Sequence, residues 1–233
     1  MKIMTFNTQH CQNYVTRKID YELMAKVIKD SGADIVGLNE MRGLGVREDY
    51  EEQVEMLAKL TGMPYFYFGK AIDFSGNPYG NGLLSKIPIV NIKTVSIPDP
   101  KPRKYEGYYE TRGVIVAEIQ GGVTVLVTHV GLNPDEAENA ISVLAEQIKP
   151  NKCVLMGDFN MTPDNPLFAP ILEKMIDTAE GLCADKLSYP SDNPDRKIDY
   201  IFISPDGKVL FSDIPTIIAS DHRPHIAHVE FAK

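Results

Sequence analysis

The sequence predicts an α/β protein in which two packed mixed β-sheets lie face to face, flanked by helices. Three observations carry that expectation. Short apolar strand segments alternate with amphipathic helical ones, in the order strands, helix, strand, polar loop, and the order occurs twice. Most of the strand segments that close a unit run out into Asn, Asp, Glu or His. No sequence repeat, low-complexity tract or linker breaks the chain, so residues 1–233 read as a single domain.

The elements follow in order. A strand at 3–6 opens the chain, and a helix over about 17–31 comes next, with Ile19, Leu23 and Val27 recurring every four residues and Gly32 as its stop. A buried strand at 35–38 leads to a second helix from about Tyr50, carrying Val54, Leu57 and Ala58 and ending near Gly62. The middle is β-rich, with strands at 65–68, 82–85, 89–97, 112–119 and 123–128, the last two joined at Gly121-Gly122. The aromatic run at 65–68 reads as sheet packing. A helix over 134–148 returns to a strand at 153–156, which stops at Gly157. Strands at 197–203, 209–211 and 226–231 close the chain, and the proline- and charge-rich stretch 98–110 is a long loop.

Bulk properties narrow the function classes. The net charge of −8 lacks the footprint of a general DNA binder, so a nucleic-acid partner is not favoured, although local basic patches and a bound cation offset part of the deficit. Cys11, Cys153 and Cys183 are scattered and odd in number, which fits neither a zinc site nor a disulfide framework. Cys153 sits in an apolar run as a small core residue. No apolar run reaches the ~18 residues of a membrane span, and the chain opens on a strand rather than a signal peptide. These features predict a cytoplasmic location and imply no protein partner.

The chemistry concentrates at strand ends. Met156-Gly157-Asp158-Phe159-Asn160 leaves a buried strand with an Asp and an Asn, and Pro163 and Pro166 block simple continuation. Asn7, Asn39-Glu40, His129 with Asn133, and Asp221-His222 stand in comparable places. Asp199 interrupts the apolar stretch 197–203, where a charge is costly unless paired or bound to a cation. Carboxylates and amides are hard oxygen ligands suited to Mg²⁺ or Mn²⁺ rather than zinc. A metal beside a phosphate oxygen acts as a Lewis acid, and histidine moves protons near neutral pH. The inventory therefore suits metal-assisted phosphoester hydrolysis by water.

These residues carry a resemblance. Phe6-Asn7, Gly37-Leu38-Asn39-Glu40, Gly80 to Ser85, Thr128-His129, Gly157-Asp158-Phe159-Asn160, Ile198-Asp199-Tyr200-Ile201 and Ser220-Asp221-His222-Arg223-Pro224 together resemble the endonuclease/exonuclease/phosphatase superfamily. The resemblance implies a four-layer α/β sandwich with its site at one edge of the two sheets. It implies that Glu40 is the main metal carboxylate, with Asn7 close to the metal and Asp221 either a ligand or just behind one. Asp158 would orient or deprotonate water, Asn160 would hold a phosphate oxygen, and His222, held by a carboxylate, would contact or protonate the phosphate. Asp199 would pair with one of the histidines. The Thr128-His129 form is similar to that of deoxyribonucleases, sphingomyelinases and phosphoinositide phosphatases. Arg112 resembles a strand-start arginine that supports the phosphate or a neighbouring carboxylate.

Plainer readings stand beside these. Asn7 also reads as a turn residue, Asn81 as a servant of the Gly80–Gly82 turn, Asn133 as a helix N-cap, and Arg112 as a surface ion-pair partner. His10 falls near the site rim, whereas His225 and His228 fall on opposite faces of the last strand. The basic, aromatic loop with Arg103, Lys104, Tyr105 and Tyr108 reads as solvated or as a substrate grip. The sequence thus predicts a Mg²⁺-dependent phosphoesterase acting on a small or lipid-linked phosphodiester. A DNA or RNA nuclease and a non-catalytic binding protein are the alternatives.

Overall fold

A computed structural model describes residues 1–180 and 186–232. Two six-stranded mixed sheets pack together. The first contains β1 (Lys2–Asn7), β2 (Ile35–Arg42), β3 (Tyr65–Asp73), β4 (Pro78–Ser85), β11 (Gly207–Asp213) and β12 (His225–Phe231), in the order β11-β12-β1-β2-β4-β3. The second contains β5 (Ile89–Ile97), β6 (Arg112–Ile119), β7 (Val123–His129), β8 (Cys153–Asp158), β9 (Ile176–Asp177) and β10 (Asp199–Ile203), in the order β5-β6-β7-β8-β10-β9. Ile3, Ile35, Ile115, Val127, Met156 and Ile201 belong to the apolar layer between the sheets. Helices α1 (Tyr21–Ser31) and α2 (Gln53–Thr61) cover the outer face of the first sheet through Met24, Ile28 and Leu57. Helices α3 (Pro134–Gln147) and α4 (Ala169–Leu172) cover the second through Ala140, Ile141 and Ile171. The layers are those the sequence predicts. No helix among the described residues is long and apolar enough to cross a membrane.

Several boundaries differ, each for a local reason. The first helix begins at Tyr21 rather than near Arg17, because the Asp20 carboxylate accepts from Leu23 N at 3.0 Å and caps it there. Arg17 instead has φ of 59°, outside any helix. The second helix starts at Gln53 rather than Tyr50. Strand β2 does not end at Asn39-Glu40 but runs on to Arg42, with a register shift between Leu38 and Met41 and Glu40 at φ 62°. That bulge re-aims one side chain within a continuing strand. Gly157 does not stop β8, which continues to Asp158. Its φ is +148°, and a Cβ there would lie 1.8 Å from Thr128 O, so the parallel approach of β7 requires glycine. Asp199 heads β10 rather than interrupting it. The short helical turns at 166–172 and the two-residue β9 have no clear periodic signal in the sequence.

Cys11 and Cys153 are buried free thiols, and Cys183 lies outside the described residues. The aromatic run of β3 lies on an edge strand, where Phe66 remains 43% exposed, so only part of it packs.

Register places the polar residues side by side. Asp158 is opposite His129 on β7 and opposite Asp199 on β10, while Asn7 is opposite Asn39 across β1 and β2. Both rows lie at the same edge of the stacked sheets. Phe159 anchors the second row, fully buried against Phe168 (5.5 Å), Tyr200 (5.5 Å) and Phe202 (5.4 Å). This aromatic plug fixes the turn that presents Asp158 and Asn160.

Candidate active site

The two rows meet through Asn7. Its Nδ2 donates to Glu40 Oε1 and to Asp158 Oδ2, each at 3.0 Å, joining carboxylates from both sheets. Asn39 makes the second bridge between sheets. Its Oδ1 accepts from Asp158 N at 3.0 Å, and its Nδ2 donates to Thr128 O at 2.7 Å and Asn81 Oδ1 at 2.9 Å. Asn81 in turn donates to Gly113 O at 3.0 Å. Buried amides need partners, and these find them across the sheet interface.

Asp199 pairs with His222: its Oδ2 lies 2.8 Å from His222 Nδ1. The other ring nitrogen, Nε2, points into the cluster, 3.6 Å from Asp158 Oδ2. Burial on its own would lower the His222 pKa, but the carboxylates of Asp199, Asp158 and Asp221 outweigh it and raise the pKa to about 10. Burial drives Asp158 up to about 7, against the pull of His222. A carboxylate poised near neutrality beside a charged imidazole is suited to moving a proton.

His129 sits on the opposite side of Asp158. Arg112 Nη1 approaches its Nδ1 to 3.2 Å. A guanidinium only donates, so Nδ1 accepts and the ring proton resides on Nε2. Nε2 lies 3.5 Å from Asp158 Oδ2. Asn160 Nδ2 then gives its hydrogen bond to Val130 O at 3.0 Å, and its 3.1 Å approach to His129 Nε2 is a contact between two donors. Burial, then Arg112 and His222, hold the His129 pKa well below the usual value, so this ring is neutral. Asn160 has φ of 51°, a conformation that Asn tolerates, and its backbone N donates to Asp158 Oδ1 at 2.9 Å.

A cavity of about 330 Å³ opens over this cluster, lined by Glu40, Arg112, His129, Asp158, Asn160 and His222 together with Asp221 and four further side chains. The structure therefore brings Asn7, Glu40, Arg112, His129, Asp158, Asn160, Asp199, Asp221 and His222 together. It does not bring Asn81 or Asn133 to the cavity. Asn81 is spent between the sheets, and Asn133 caps α3, its Nδ2 donating to Glu136 Oε2 at 2.7 Å and to Tyr108 O at 2.9 Å. Arg112 is an ion-pair partner as well as a lining residue, held by Glu110 Oε1 at 2.7 Å, but neither side chain is on the open surface. His10 reaches the rim, with Nδ1 4.0 Å from Glu40. The loop 98–110 turns towards α3: Arg103 pairs with Asp99 and lies over Tyr109, whose hydroxyl donates to Asp135.

The donor set fits a hard divalent cation. Glu40 and Asp221 both line the cavity, and among the described residues no lysine or arginine pairs with either. Burial raises the Asp221 pKa, His222 opposes that, and the Glu40 charge raises it further, so the two carboxylates repel in the absence of a cation. Asp158, Asp199 and His222 also offer ligand atoms within 4.8 Å of one another. Glu40 and Asp221, which face the cavity with no cationic partner among the described residues other than the His10 ring 4.0 Å from Glu40, are the further carboxylates that could hold a metal, with Asn7 beside them.

Some site residues escape sequence reasoning. Tyr79, whose hydroxyl donates to Glu40 Oε2 at 3.0 Å, and Gln9, whose Nε2 donates to Asp221 Oδ2 at 3.0 Å, carry no signal beyond their type. Glu110, Tyr189 and Arg196 lie in loops where alternation says nothing. Asn39 is the exception: an amide inside an apolar strand needs partners for the same reason as Asp199 does.

Comparison with known proteins shows the family and the fold. The chain matches the Endonuclease/Exonuclease/phosphatase family over residues 4–222 and belongs to that family, whose members are hydrolases acting on phosphoesters. No curated protein matches it. Among solved structures, an endonuclease/exonuclease/phosphatase from Beutenbergia cavernae DSM 12333 is similar at a TM-score of 0.78 and 22% identity, covering 100% of this chain and 72% of that one. A functionally unknown conserved protein from Enterococcus faecalis V583 is similar at 0.76 and 17% identity, covering 100% of both chains. A mannosyl-6-phosphatase from Bacteroides thetaiotaomicron VPI-5482 is similar at 0.76 and 15% identity, covering 99% of this chain and 100% of that one.

Proposed function

We propose that the chain is a divalent-metal-dependent phosphoesterase, with Mg²⁺ or Mn²⁺ as cofactor, that hydrolyses a small phosphate ester, a diester by preference, through attack of water. The observation that carries this reading is the line of polar contacts at the cavity floor: Asp199 hydrogen-bonded to His222, the His222 Nε2 in ion-pair contact with Asp158 at 3.6 Å, and Asn7 hydrogen-bonded to both Asp158 and Glu40. Glu40 and Asp221 would hold the cation, which supplies Lewis-acid stabilisation of charge on the phosphate oxygens. Asp158, poised near neutral pH, accepts the proton of the attacking water. His222, kept charged by Asp199, donates to the phosphate through Nε2. Asn160 and neutral His129 supply neutral donors on the other side, and Arg112 supplies positive charge behind them.

A compact cavity on a chain of net charge −8 favours a small ester over a long duplex. Arg103 and Lys104, the cations on the 98–110 loop most suited to gripping a nucleic-acid backbone, are occupied by Asp99 and Glu138. A sugar phosphate enters the set of candidates through the fold shared with a mannosyl-6-phosphatase. The deciding assay is Mg²⁺-dependent turnover of bis-p-nitrophenyl phosphate beside p-nitrophenyl phosphate, mannose 6-phosphate and plasmid DNA, with Asp158→Ala as control. Diester turnover lost in Asp158→Ala is expected. Plasmid nicking far faster than any small ester would overturn the substrate assignment, and silence with every substrate and metal would overturn the enzyme assignment.

A further inference from the structure

The chemistry proposed above occupies the cavity floor and leaves one wall without a task. Of the lining, Leu132, Tyr189, Arg196 and Ile198 take no part in that chemistry, and Tyr189 and Arg196 form that wall. Water attack on a phosphate needs none of them. Leu132 is nevertheless 68% exposed at the cavity, a large aliphatic side chain left facing solvent beside a polar site.

Tyr189 and Arg196 are locked together by the backbone. Arg196 N donates to Tyr189 O at 3.2 Å, and Tyr189 N donates to Arg196 O at 3.1 Å, which closes residues 189–196 into a small hairpin. Directly paired residues project from the same side of a ladder. The Arg196 guanidinium accordingly lies 5.6 Å from the Tyr189 ring centroid, and the same ring meets the His222 imidazole at 4.7 Å. The hairpin is also fastened to the segment that carries Asp221 and His222. Ser191 N donates to Asp221 O at 2.7 Å, Ser191 Oγ donates to Ser220 O at 2.6 Å, and Arg223 N donates to Ser188 O at 2.7 Å. A wall held this firmly against the catalytic segment is preorganised for a ligand.

Charge separates the wall from the floor. Glu40, Asp158 and Asp221 make the floor acidic, and Arg112 is engaged by Glu110 and His129. Arg196 is the other arginine of the lining. Asp195 accepts from its Nε at 2.6 Å and its Nη2 at 3.2 Å, and among the described residues none accepts from Nη1. A planar guanidinium with one open edge is suited to a carboxylate or phosphate oxygen.

We infer that the 189–196 hairpin forms the subsite for the part of the substrate beyond the scissile phosphate. It takes a ring-bearing alcohol whose apolar face lies against Tyr189, Leu132 and Ile198 and whose second anionic group meets Arg196. The inference deepens the phosphoesterase reading and rests on it for its kinetic test. A cavity of about 330 Å³ is at the small end of ligand sites, room for one such ring with its phosphate.

The diesters benzyl methyl phosphate and 4-carboxybenzyl methyl phosphate test this, because their benzylic leaving groups are of similar acidity and they differ in the second charge. The wild type with Mg²⁺ is expected to favour the carboxylated ester by about ten-fold in kcat/KM, mainly through KM, the size of one charge-assisted hydrogen bond. Arg196→Met is expected to erase the preference and Arg196→Lys to restore part of it. Calorimetric binding of the two corresponding phosphonates, which cannot be hydrolysed, gives a readout that needs no turnover. Equal handling of the two esters by the wild type, or a preference that survives Arg196→Met, overturns the subsite. Selective phosphonate binding that depends on Arg196, without turnover of any ester, upholds the subsite and overturns the hydrolase reading. Neither turnover nor selective binding removes both.

Discussion

His129 closes one side of Asp158 from the end of β7, and His222 closes the other from the loop before β12. Both rings are buried, and each holds a nitrogen within 3.6 Å of the same carboxylate oxygen. Yet one is neutral and the other charged. The difference comes from what stands behind each ring. Arg112 addresses His129 Nδ1, so that nitrogen accepts and the neutral form is kept. Asp199 addresses His222 Nδ1, so that nitrogen donates and the imidazolium is kept despite burial. Residue type and position along the strand edge leave the charge open, and the group one shell further out decides it.

The largest effect is expected from removing the carboxylate behind His222. Asp199→Asn should lower kcat by about 10²–10⁴ while the protein stays folded, and adding His222→Gln should cost little more, since the two act as one unit. Full additivity in the double variant would show that they work independently. Phe159→Ala attacks the support of the whole second row and should lower stability by about 3–5 kcal/mol in urea titration. A much smaller loss would mean that the turn at Asp158 is held without its aromatic plug.

A third histidine offers a control for the comparison away from the cavity. His225 is fully buried against Ser212 and Thr178, and burial followed by Lys197 lowers its pKa to about 4. An unfolded histidine titrates near 6.5. The unfolded chain therefore binds the extra proton between these values, so this contribution is complete above pH ~6.5 and is lost as pH falls towards 4. Over that window the wild type should lose roughly 2–3 kcal/mol more stability than His225→Gln. Identical pH slopes would exclude His225 as the cause. The smallest effect tests the His129 side. Arg112→Met should move the His129 titration seen by NMR upward and lower kcat/KM by about ten-fold, with the His222 signal still that of a charged ring. An unmoved His129 would mean that burial alone keeps it neutral.

Much of the fold was legible because its signals are local. Alternation found the strands at 89–97 and 112–119 to the residue, and Asn133-Pro134 marked the start of α3. Where tertiary contacts override local pattern, the reading failed. Gly157 looks like a stop but is the residue that lets β7 approach, and Asn39-Glu40 looks like an exit but is a bulge in a continuing strand. At the site, polar residues at strand ends led to Asn7, Glu40 and Asp158, and a charge inside an apolar stretch led to Asp199. The same reasoning overreached at Asn81 and Asn133, because an amide beside a strand end is equally useful for joining sheets or capping a helix. Tyr189 and Arg196 carried no periodic signal, and only their backbone pairing reveals them.

Sequence by itself determined the layered α/β class, the strand edges rich in carboxylates and amides, and the hard-oxygen chemistry they support. Periodicity and residue type are properties of a chain read a few positions at a time. Only the tertiary structure decided that Asp199 serves His222 and Arg112 serves His129, that Asn39 bridges the sheets, and that a hairpin with one open guanidinium edge walls the cavity. Those outcomes depend on distances between residues far apart along the chain, and the electrostatic field each group feels exists only once those residues are packed together.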